Sequence, residues 1–232
     1  MSSANTGSTD NIRFAVLAAD TVLLTFQNDK LFVRLVSVNR PPHFPEGSKG
    51  LPGGLLFPDE VAEQSAARHI QTKGGINPDK VYLEQLYTFS EVDRDPRGRV
   101  VAVAYLAVVP WDRLDPIEKQ NNNDAWWSEV SKTGNLAYDH NKILDMALTR
   151  LRHRISYSTI VCKLLPNEFS LTELQDIFSV VLSKKLDKRN FRKKILKLDI
   201  LKPLSHKQDS RPYRPARLYT YKSSDVEEID II

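Results

Sequence analysis

The segment GGLLFPDEVAEQSAARHIQTKGGI (53–76) decides the fold, because it places a glycine-rich turn directly before a helix. From residue 59 to 73, small and apolar side chains recur at the three- and four-residue spacing of one helical face. Two glycines, Gly74 and Gly75, end this pattern, since glycine readily adopts the backbone conformation that closes a helix. We therefore predict an amphipathic helix over 59–73.

Two strand-forming runs precede this helix, RFAVLAADTVLLTF (13–26) and LFVRLVSV (31–38). The turn residues Asn28 and Asp29 lie between them, so the pair predicts a hairpin. Residues 41–58 hold five prolines and four glycines, and we interpret them as a loop with a defined path.

Further strands and a helix follow. The runs VYLEQLYTF (81–89) and VVAVAYLAVV (100–109) predict two strands, Trp126-Trp127 predicts the start of a short one, and 141–155 has helical spacing. A helix among antiparallel strands predicts an α+β domain rather than a parallel series.

The pattern changes after about residue 155. Ser170 and Glu173 form a capping box ahead of a helix, and Asp187 caps a second helix in which Phe191, Ile195 and Leu198 make one buried stripe. Beyond this helix we predict a polar loop after Pro203 and then a strand over 214–221. This order of elements is that of a winged helix-turn-helix.

Charge is distributed unevenly along the chain. The net charge is +4, but residues 184–222 alone carry fourteen Lys/Arg and three Asp/Glu, which leaves a net charge of −7 on the rest. Such asymmetry indicates a basic module that meets a polyanion, attached to an acidic module that does not. The alternative is a solvated basic segment without a partner.

Length and composition exclude several classes. The 232 residues fit one large or two small domains, and an apolar fraction of 41% excludes wholesale disorder. The longest apolar run is about half of the ~20 residues that a membrane-spanning helix needs, so we expect no membrane association. Residues 1–11 predict a disordered arm without a signal peptide, and a single cysteine, Cys162, predicts a reducing cytoplasmic setting.

Residues 53–76 also resemble the Nudix box, which is a glycine, five residues, a glutamate, seven residues, and then Arg-Glu-aliphatic-x-Glu-Glu-x-Gly-aliphatic. In Nudix hydrolases the three glutamates after the arginine hold Mg²⁺, which neutralises a diphosphate and positions the attacking water. The alternative is that the glycines form only a turn. The matching residues are Gly54, Glu60, Arg68, Ile70, Gly75 and Ile76.

The three metal-binding positions of the box are occupied here by His69, Thr72 and Lys73. Hard divalent cations prefer carboxylate oxygens, and an ammonium group nearby repels them. We therefore expect that metal-dependent hydrolysis is lost, that the protein is not an enzyme, and that no residue is catalytic or binds a metal.

Further motifs are similar to those of the NrtR family of Nudix-related transcriptional regulators. The resemblance covers residues 12–221 and implies a Nudix-like mixed β-sheet/α sandwich over 12–155 and a winged helix-turn-helix domain over 156–232. The motifs are, in chain order, DRDPRGR (93–99), AYDHNKIL (137–144), FSLTELQDIF (169–178), LDKRNFRKKIL (186–196) and the wing motif RPARLY (214–219).

Membership of that family implies a homodimeric repressor of genes for NAD synthesis or salvage. It would bind palindromic operator DNA and sense ADP-ribose or a related NAD metabolite as effector, with no cofactor required. We expect the effector to meet a phosphate-binding set and the DNA to meet a basic set. The effector set is Arg40, Gly53, Gly54, Lys73, Arg97 and Arg99, and the DNA set is Thr172, Lys184, Lys188, Arg189, Asn190, Arg192, Lys193, Arg211, Arg214 and Arg217.

Two other functions remain open from the sequence. A weak Nudix pyrophosphohydrolase of ADP-ribose-type substrates could use Glu60, Glu63 or distant carboxylates for metal, with an accessory nucleic-acid-binding domain. An RNA-binding protein could use the basic module, although no aromatic RNA-binding strand is visible. We interpret His140, Trp126 and Trp127 as structural residues.

Overall fold

The structure, a computed structural model, describes residues 15–207 and 216–231, so the predicted arm at 1–11 lies outside the described residues. Val16–Gln27 (β1) and Lys30–Arg40 (β2) form the predicted hairpin. Asn28 and Asp29 at its tip have φ angles of 49° and 59°, the left-handed pair that suits the twist of a two-residue hairpin turn.

The strands of the first module form one mixed seven-stranded sheet in which β1 lies beside β2. The other elements of this module are Phe44–Gly50 (β3), Gly53–Leu55 (β4), Ala62–Thr72 (α1), Tyr82–Phe89 (β5), Val100–Val108 (β6), Ala125–Glu129 (β7) and His140–Tyr157 (α2). The strand order is β3-β2-β1-β6-β5, with β4 paired to β1 and β7 to β2. β1 and β6 pair in parallel and the other pairs are antiparallel, which confirms the mixed sheet expected for this module.

Helices cover both faces of the sheet, because successive side chains of β1 pack alternately against α1 and against the core that contains α2. Leu23 packs with Ile70 of α1 on one face, whereas Val22 and Leu24 belong to the core that α2 covers on the other face. Successive side chains of a strand point to opposite faces, so a strand buried on both sides has no polar face. This confirms the α+β class. Burial on both faces also explains why β6 is mostly apolar and why β1 is apolar apart from a few residues such as Asp20, Thr21 and Thr25.

The interpretation of 41–58 as a loop was wrong, because the segment contains β3 and β4. Val36 pairs with Gly50 and Arg40 with Phe44 in the β2–β3 ladder, and Ala18 pairs with Leu55 in the β1–β4 ladder. β3 is an edge strand, and an edge tolerates residues such as proline that cannot donate to a ladder. Partners distant in sequence, rather than local propensity, make these strands.

The second module has the predicted helix-turn-helix and a three-stranded sheet in the order β8-β10-β9. The capping box is confirmed: the Ser170 hydroxyl accepts from the Glu173 amide at 3.2 Å, and the Glu173 carboxylate accepts from the Ser170 amide at 2.7 Å. The elements are Phe169–Ser170 (β8), Leu171–Val181 (α3), Lys188–Lys197 (α4), Leu201–Lys207 (β9) and Arg217–Tyr221 (β10).

The polar loop expected after Pro203 was wrong for residues up to 207, since β9 contains Pro203 and continues to Lys207, and the rest of that loop lies outside the described residues. Pro203 stands opposite Tyr219 of β10 in an antiparallel ladder. Because β9 is at the edge of its sheet, a proline there costs no interior hydrogen bond. The strand expected over 214–221 is confirmed for Arg217–Tyr221.

One hydrophobic core runs through both modules. It contains Leu24 of β1, Leu151 and Ile155 of α2, and Leu174 and Phe178 of α3. The Arg152 Nε also donates to the Val181 carbonyl at 3.3 Å, which joins α2 to the end of α3. The two modules are therefore packed against each other through α2.

Within the described ranges, no helix combines the length and the apolar character needed to cross a membrane.

Candidate functional site

A cleft of about 700 Å³ opens between the strands β1, β2 and β4, the end of α1 and the loop before β6. Its volume is typical of small-molecule sites. Five cationic and three anionic side chains line it, so its net charge favours a small anionic ligand. We call it the cationic cleft, and the charged residues are Arg40, Arg68, Lys73, Arg94, Arg97, Asp20, Asp95 and Asp124.

Gly53 and Gly54, both predicted effector residues, lie in the cleft wall. A Cβ atom on Gly53 would stand 2.2 Å from the Asp20 Oδ1, and one on Gly54 would stand 2.8 Å from the His69 Nε2. The missing side chains therefore let β4 approach both β1 and α1. Because neither glycine has a side chain, the backbone of β4 itself forms part of the cleft wall.

Glu60 and Arg68 of the Nudix-like box form an ion pair that closes the turn before α1. The Arg68 Nε donates to the Glu60 carboxylate at 2.9 Å, and the Phe57 amide donates to the same carboxylate at 2.8 Å. The hydrogen bond from Arg68 is the main reason that the pKa of Glu60 lies at about 2. Arg68 also stacks over the Phe57 ring at 3.9 Å. Glu60 is thus committed to holding the turn.

The three positions that carry glutamates in the Nudix box present other groups to the cleft. His69 is buried, and neither ring nitrogen has a hydrogen-bond partner within the described part of the chain. Burial, with Lys73 nearby, lowers the pKa of His69, so its imidazole is neutral at pH 7. The Thr72 hydroxyl donates to the Arg68 carbonyl at 2.8 Å, and the Lys73 Nζ donates to the Gly53 carbonyl at 2.5 Å.

A magnesium site of the Nudix type does not fit these residues. The nearby carboxylates of Asp20, Asp95 and Glu60 are each paired with an arginine. Over 15–207 and 216–231, no cluster of three His, Cys, Asp or Glu side chains could hold a metal ion. The Lys73 ammonium would repel a divalent ion about 4 Å away by about 8 kcal/mol at an effective dielectric constant near 20.

The three predicted effector arginines have different surroundings. Arg40 and Arg97 line the cationic cleft, whereas Arg99 does not. Arg99 donates to the Ser90 and Glu91 carbonyls at 2.9 and 3.1 Å and so holds the loop before β6 in place. Arg97 pairs with Asp95. Among the described residues, the hydrogen bond found for the exposed Arg40 side chain is a long one, 3.4 Å to the carbonyl of Asn39. Arg40 is therefore the arginine most easily turned toward a ligand.

Arg94 was missed by the sequence reasoning, although it is the most deeply buried cation of the cleft. Its Nη2 donates to Asp20 at 3.1 Å and to Asp139 at 2.7 Å, and only 3% of its side chain is exposed. Asp139 immediately precedes α2. A signal was present, because Arg94 belongs to the segment DRDPRGR (93–99) that resembles a family motif, but the sequence of a loop does not show which of its arginines is buried.

The residues interpreted as structural have internal partners. His140 is fully buried, and its Nδ1 accepts a hydrogen bond from the Leu51 amide at 2.9 Å, which requires a neutral ring. Burial lowers the pKa of His140 accordingly. The Trp127 Nε1 donates to the Glu118 carbonyl at 2.9 Å. His140 also lines the cleft, so the first turn of α2 forms part of its wall.

Four of the ten predicted DNA-binding residues lie on the exposed face of α4. The helix buries Phe191 and Ile195 against α3, and Asp187 caps it by accepting the Asn190 amide at 2.8 Å. The exposed residues of the predicted set on this helix are Lys188, Arg189, Asn190 and Lys193.

The remaining residues of the DNA set are more varied. Arg192 is half-buried and donates to the Thr172 hydroxyl at 3.0 Å, which ties α4 to the first turn of α3. Lys184 is exposed just after α3, and Arg217 is exposed at the start of β10. Arg211 and Arg214, expected in the wing, lie outside the described residues.

The fold and its two sites define a class of protein in which a Nudix-type cleft precedes a winged helix-turn-helix. Family models agree, matching a NUDIX domain at residues 16–147 and an NrtR DNA-binding winged helix domain at residues 161–221. The chain belongs to the NrtR family.

Similar proteins include an NrtR solved with DNA and the NUDIX domain of the same NrtR solved with ADP ribose. NrtR of Shewanella oneidensis, solved with a 27mer DNA, is 33% identical over 89% of this chain and 93% of that one, with a TM-score of 0.77. Its NUDIX domain, solved with ADP ribose, is 31% identical over 63% of this chain and 94% of that one, with a TM-score of 0.51. An ADPR responsive transcriptional repressor of Acinetobacter baylyi is 28% identical over 91% of this chain and 84% of its own length.

Proposed function

We propose that the protein is a transcriptional repressor of genes for NAD synthesis or salvage that senses ADP-ribose or a related NAD metabolite. The effector binds in the cationic cleft and is not cleaved, and α4 reads operator DNA. The family and the ADP-ribose and DNA complexes of Shewanella oneidensis NrtR support this proposal. It acts in the cytoplasm and needs no cofactor.

The observation that carries the proposal is the position of α2. Its first residue, His140, lines the cationic cleft, and its far end packs in one core with α3 of the DNA-binding module. The buried Arg94 holds Asp139, directly before α2, against Asp20 of the cleft. A ligand that displaces any of these groups changes where α2 sits, and therefore where α4 sits.

The effector set within this proposal is Arg40, Gly53, Gly54, Lys73 and Arg97. Arg99 serves the loop instead, because its guanidinium donates to two carbonyls there. The DNA set on the helices is led by Lys188, Arg189, Asn190 and Lys193, with Thr172, Lys184, Arg192 and Arg217 around them. Arg211 and Arg214 stay predictions for the wing.

The proposal includes a homodimer, because helix-turn-helix regulators read two half-sites with two copies of one helix. Within the proposal the effector-binding domain extends over 12–155 and the DNA-binding domain over 156–232, which puts the boundary in the last turn of α2. Light scattering of the purified protein, alone and with DNA, tests the dimer.

One experiment tests the function directly. A duplex selected by the protein from a random library is labelled, and its anisotropy is followed as protein and then ADP-ribose are added. We expect tight binding of the selected duplex and a clear change of affinity with ADP-ribose. Indifference to every duplex, or to ADP-ribose and related nucleotides, would refute the proposal.

A parallel incubation separates the repressor from a hydrolase. The protein is held with ADP-ribose and Mg²⁺ or Mn²⁺, and AMP is measured. We expect no turnover, because Glu60 is committed to Arg68 and the former metal positions hold His69, Thr72 and Lys73. Rapid, metal-dependent release of AMP would instead favour a pyrophosphohydrolase.

A further inference from the structure

The Lys73 side chain lines the cationic cleft next to the two glycines of β4. Its Nζ is tethered to the Gly53 carbonyl at 2.5 Å, and a Cβ atom on Gly54 would come within 3.1 Å of it. The ammonium therefore sits directly beneath the glycine segment that opens to the cleft. It carries three donors and uses one on Gly53, which leaves two for a ligand.

The surroundings of this ammonium are cationic. Arg40, Arg68 and Arg97 repel the Lys73 ammonium, and Asp20 attracts it. Asp20 in turn is shared with the buried Arg94. Arg68 and Arg97 are already paired with Glu60 and Asp95, so an anionic ligand would mainly offset the charges of Lys73 and Arg40.

A second observation points to the same spot. His69, one turn before Lys73, is 5% exposed, lines the cleft, and has two ring nitrogens without a hydrogen-bond partner in the described ranges. Buried polar atoms are almost always satisfied by protein, water or ligand. The unpaired imidazole beside the ammonium indicates that a bound group completes this corner of the cleft.

We infer that the Lys73 ammonium replaces a divalent metal, so that the cleft binds the diphosphate of its nucleotide effector without any metal ion. This inference rests on the proposed function, which supplies the nucleotide. Lys73 then compensates the phosphate charge, and the affinity for the nucleotide does not depend on Mg²⁺. Lys73, the residue that caps the end of α1, supplies the positive charge that Mg²⁺ supplies in Nudix hydrolases.

The test measures ADP-ribose binding by calorimetry in excess EDTA and again with Mg²⁺. We expect the same affinity in both for the unaltered protein. Lys73→Gln should weaken binding by about tenfold or more, the size expected for a charge-assisted hydrogen bond. Lys73→Glu should bind still more weakly in EDTA and recover when Mg²⁺ is added, since a carboxylate can bind the ion.

Lys132→Gln and Lys132→Glu are the matched controls, because they make the same charge changes on the same module at a side chain that is 71% exposed and outside the cleft. They should leave the affinity unchanged, and circular dichroism confirms that each variant is folded. Binding that requires Mg²⁺, or affinities insensitive to the charge at position 73, would overturn this inference alone. No ADP-ribose binding in either buffer would contradict the proposed function instead.

Discussion

The salt dependence of DNA binding gives a sharp test of the role of α4. Lys193 is exposed on this helix, while Phe191 and Ile195 hold the opposite face in the core. Replacing Lys193 with alanine therefore removes a surface charge from a helix without creating a cavity. We expect Lys193→Ala to weaken operator binding through the loss of a phosphate contact.

The magnitude follows from counterion release. Each phosphate contact contributes about 0.9 to the slope of log K against log salt concentration, and a two-fold complex contains two copies of α4. Lys193→Ala should therefore flatten the slope by about 1.8, with the largest loss of affinity at low salt. Fluorescence anisotropy of one labelled operator duplex, titrated at several salt concentrations, measures this slope.

Two comparisons make the test decisive. Lys132→Ala removes the same charge from the first module, far along the chain from α4, and should leave the slope unchanged. Arg189→Ala removes a side chain that can read a base edge, which would cost about 1–3 kcal/mol per half-site on specific DNA and much less on random DNA. A slope unaltered by Lys193→Ala, or altered equally by Lys132→Ala, would show that α4 does not face the phosphates.

Three further predictions concern stability. Arg94→Met should lower the free energy of unfolding by about 3–5 kcal/mol in urea denaturation, because it leaves the buried carboxylates of Asp20 and Asp139 unpaired. A loss below about 1 kcal/mol would contradict the buried ion pairs of Arg94. The free energy of unfolding should fall as pH drops below about 6.5, because burial lowers the pKa of both His69 and His140 and the unfolded chain then binds protons that the folded chain does not. His69→Gln should make that fall shallower in urea titrations at successive pH values, and an unchanged slope would argue against a buried neutral imidazole. Phe178→Ala should cost about 3–5 kcal/mol in thermal unfolding, since this ring is fully buried against Phe191 with centroids 5.2 Å apart; a fall of less than about 1 kcal/mol would place the ring outside the core.

The sequence predicted the elements whose signals are local. Asn28 and Asp29 specified the β1–β2 turn, Ser170 and Glu173 specified the start of α3, and Asp187 specified the start of α4. Each of these signals acts between residues a few positions apart. The capping hydrogen bonds and turn conformations found in the structure are therefore those that the residue types favour.

Elements that depend on distant partners were predicted wrongly. β3 and β9 contain prolines and polar residues, and only pairing with β2 and β10 makes them strands. The parallel pairing of β1 with β6 also joins residues more than eighty positions apart, and the mixed sheet that contains it was expected from the family resemblance rather than from local propensity. Local propensity carries little information about such pairings, because edge strands accept almost any residue.

The candidate site divides in the same way. Spacing within one segment sufficed to place His69 on α1 and Lys73 at its end, and to suggest that a metal site was lost. Spacing did not show that Arg99 is committed to loop carbonyls, nor that Arg94 joins the cleft to the start of α2. An arginine's partner is set by what the folded chain brings within hydrogen-bond distance.

The sequence alone thus determined the two modules, their order, the basic helix and the replacement of the metal-binding glutamates, because these properties reside in consecutive residues. Only the tertiary structure decided how the cationic cleft is connected to the DNA-binding module. That connection consists of buried contacts between Asp20, Arg94 and Asp139 and of a core shared by α2 and α3. Contacts between residues far apart in the chain exist only once the chain has folded, so no local pattern encodes them.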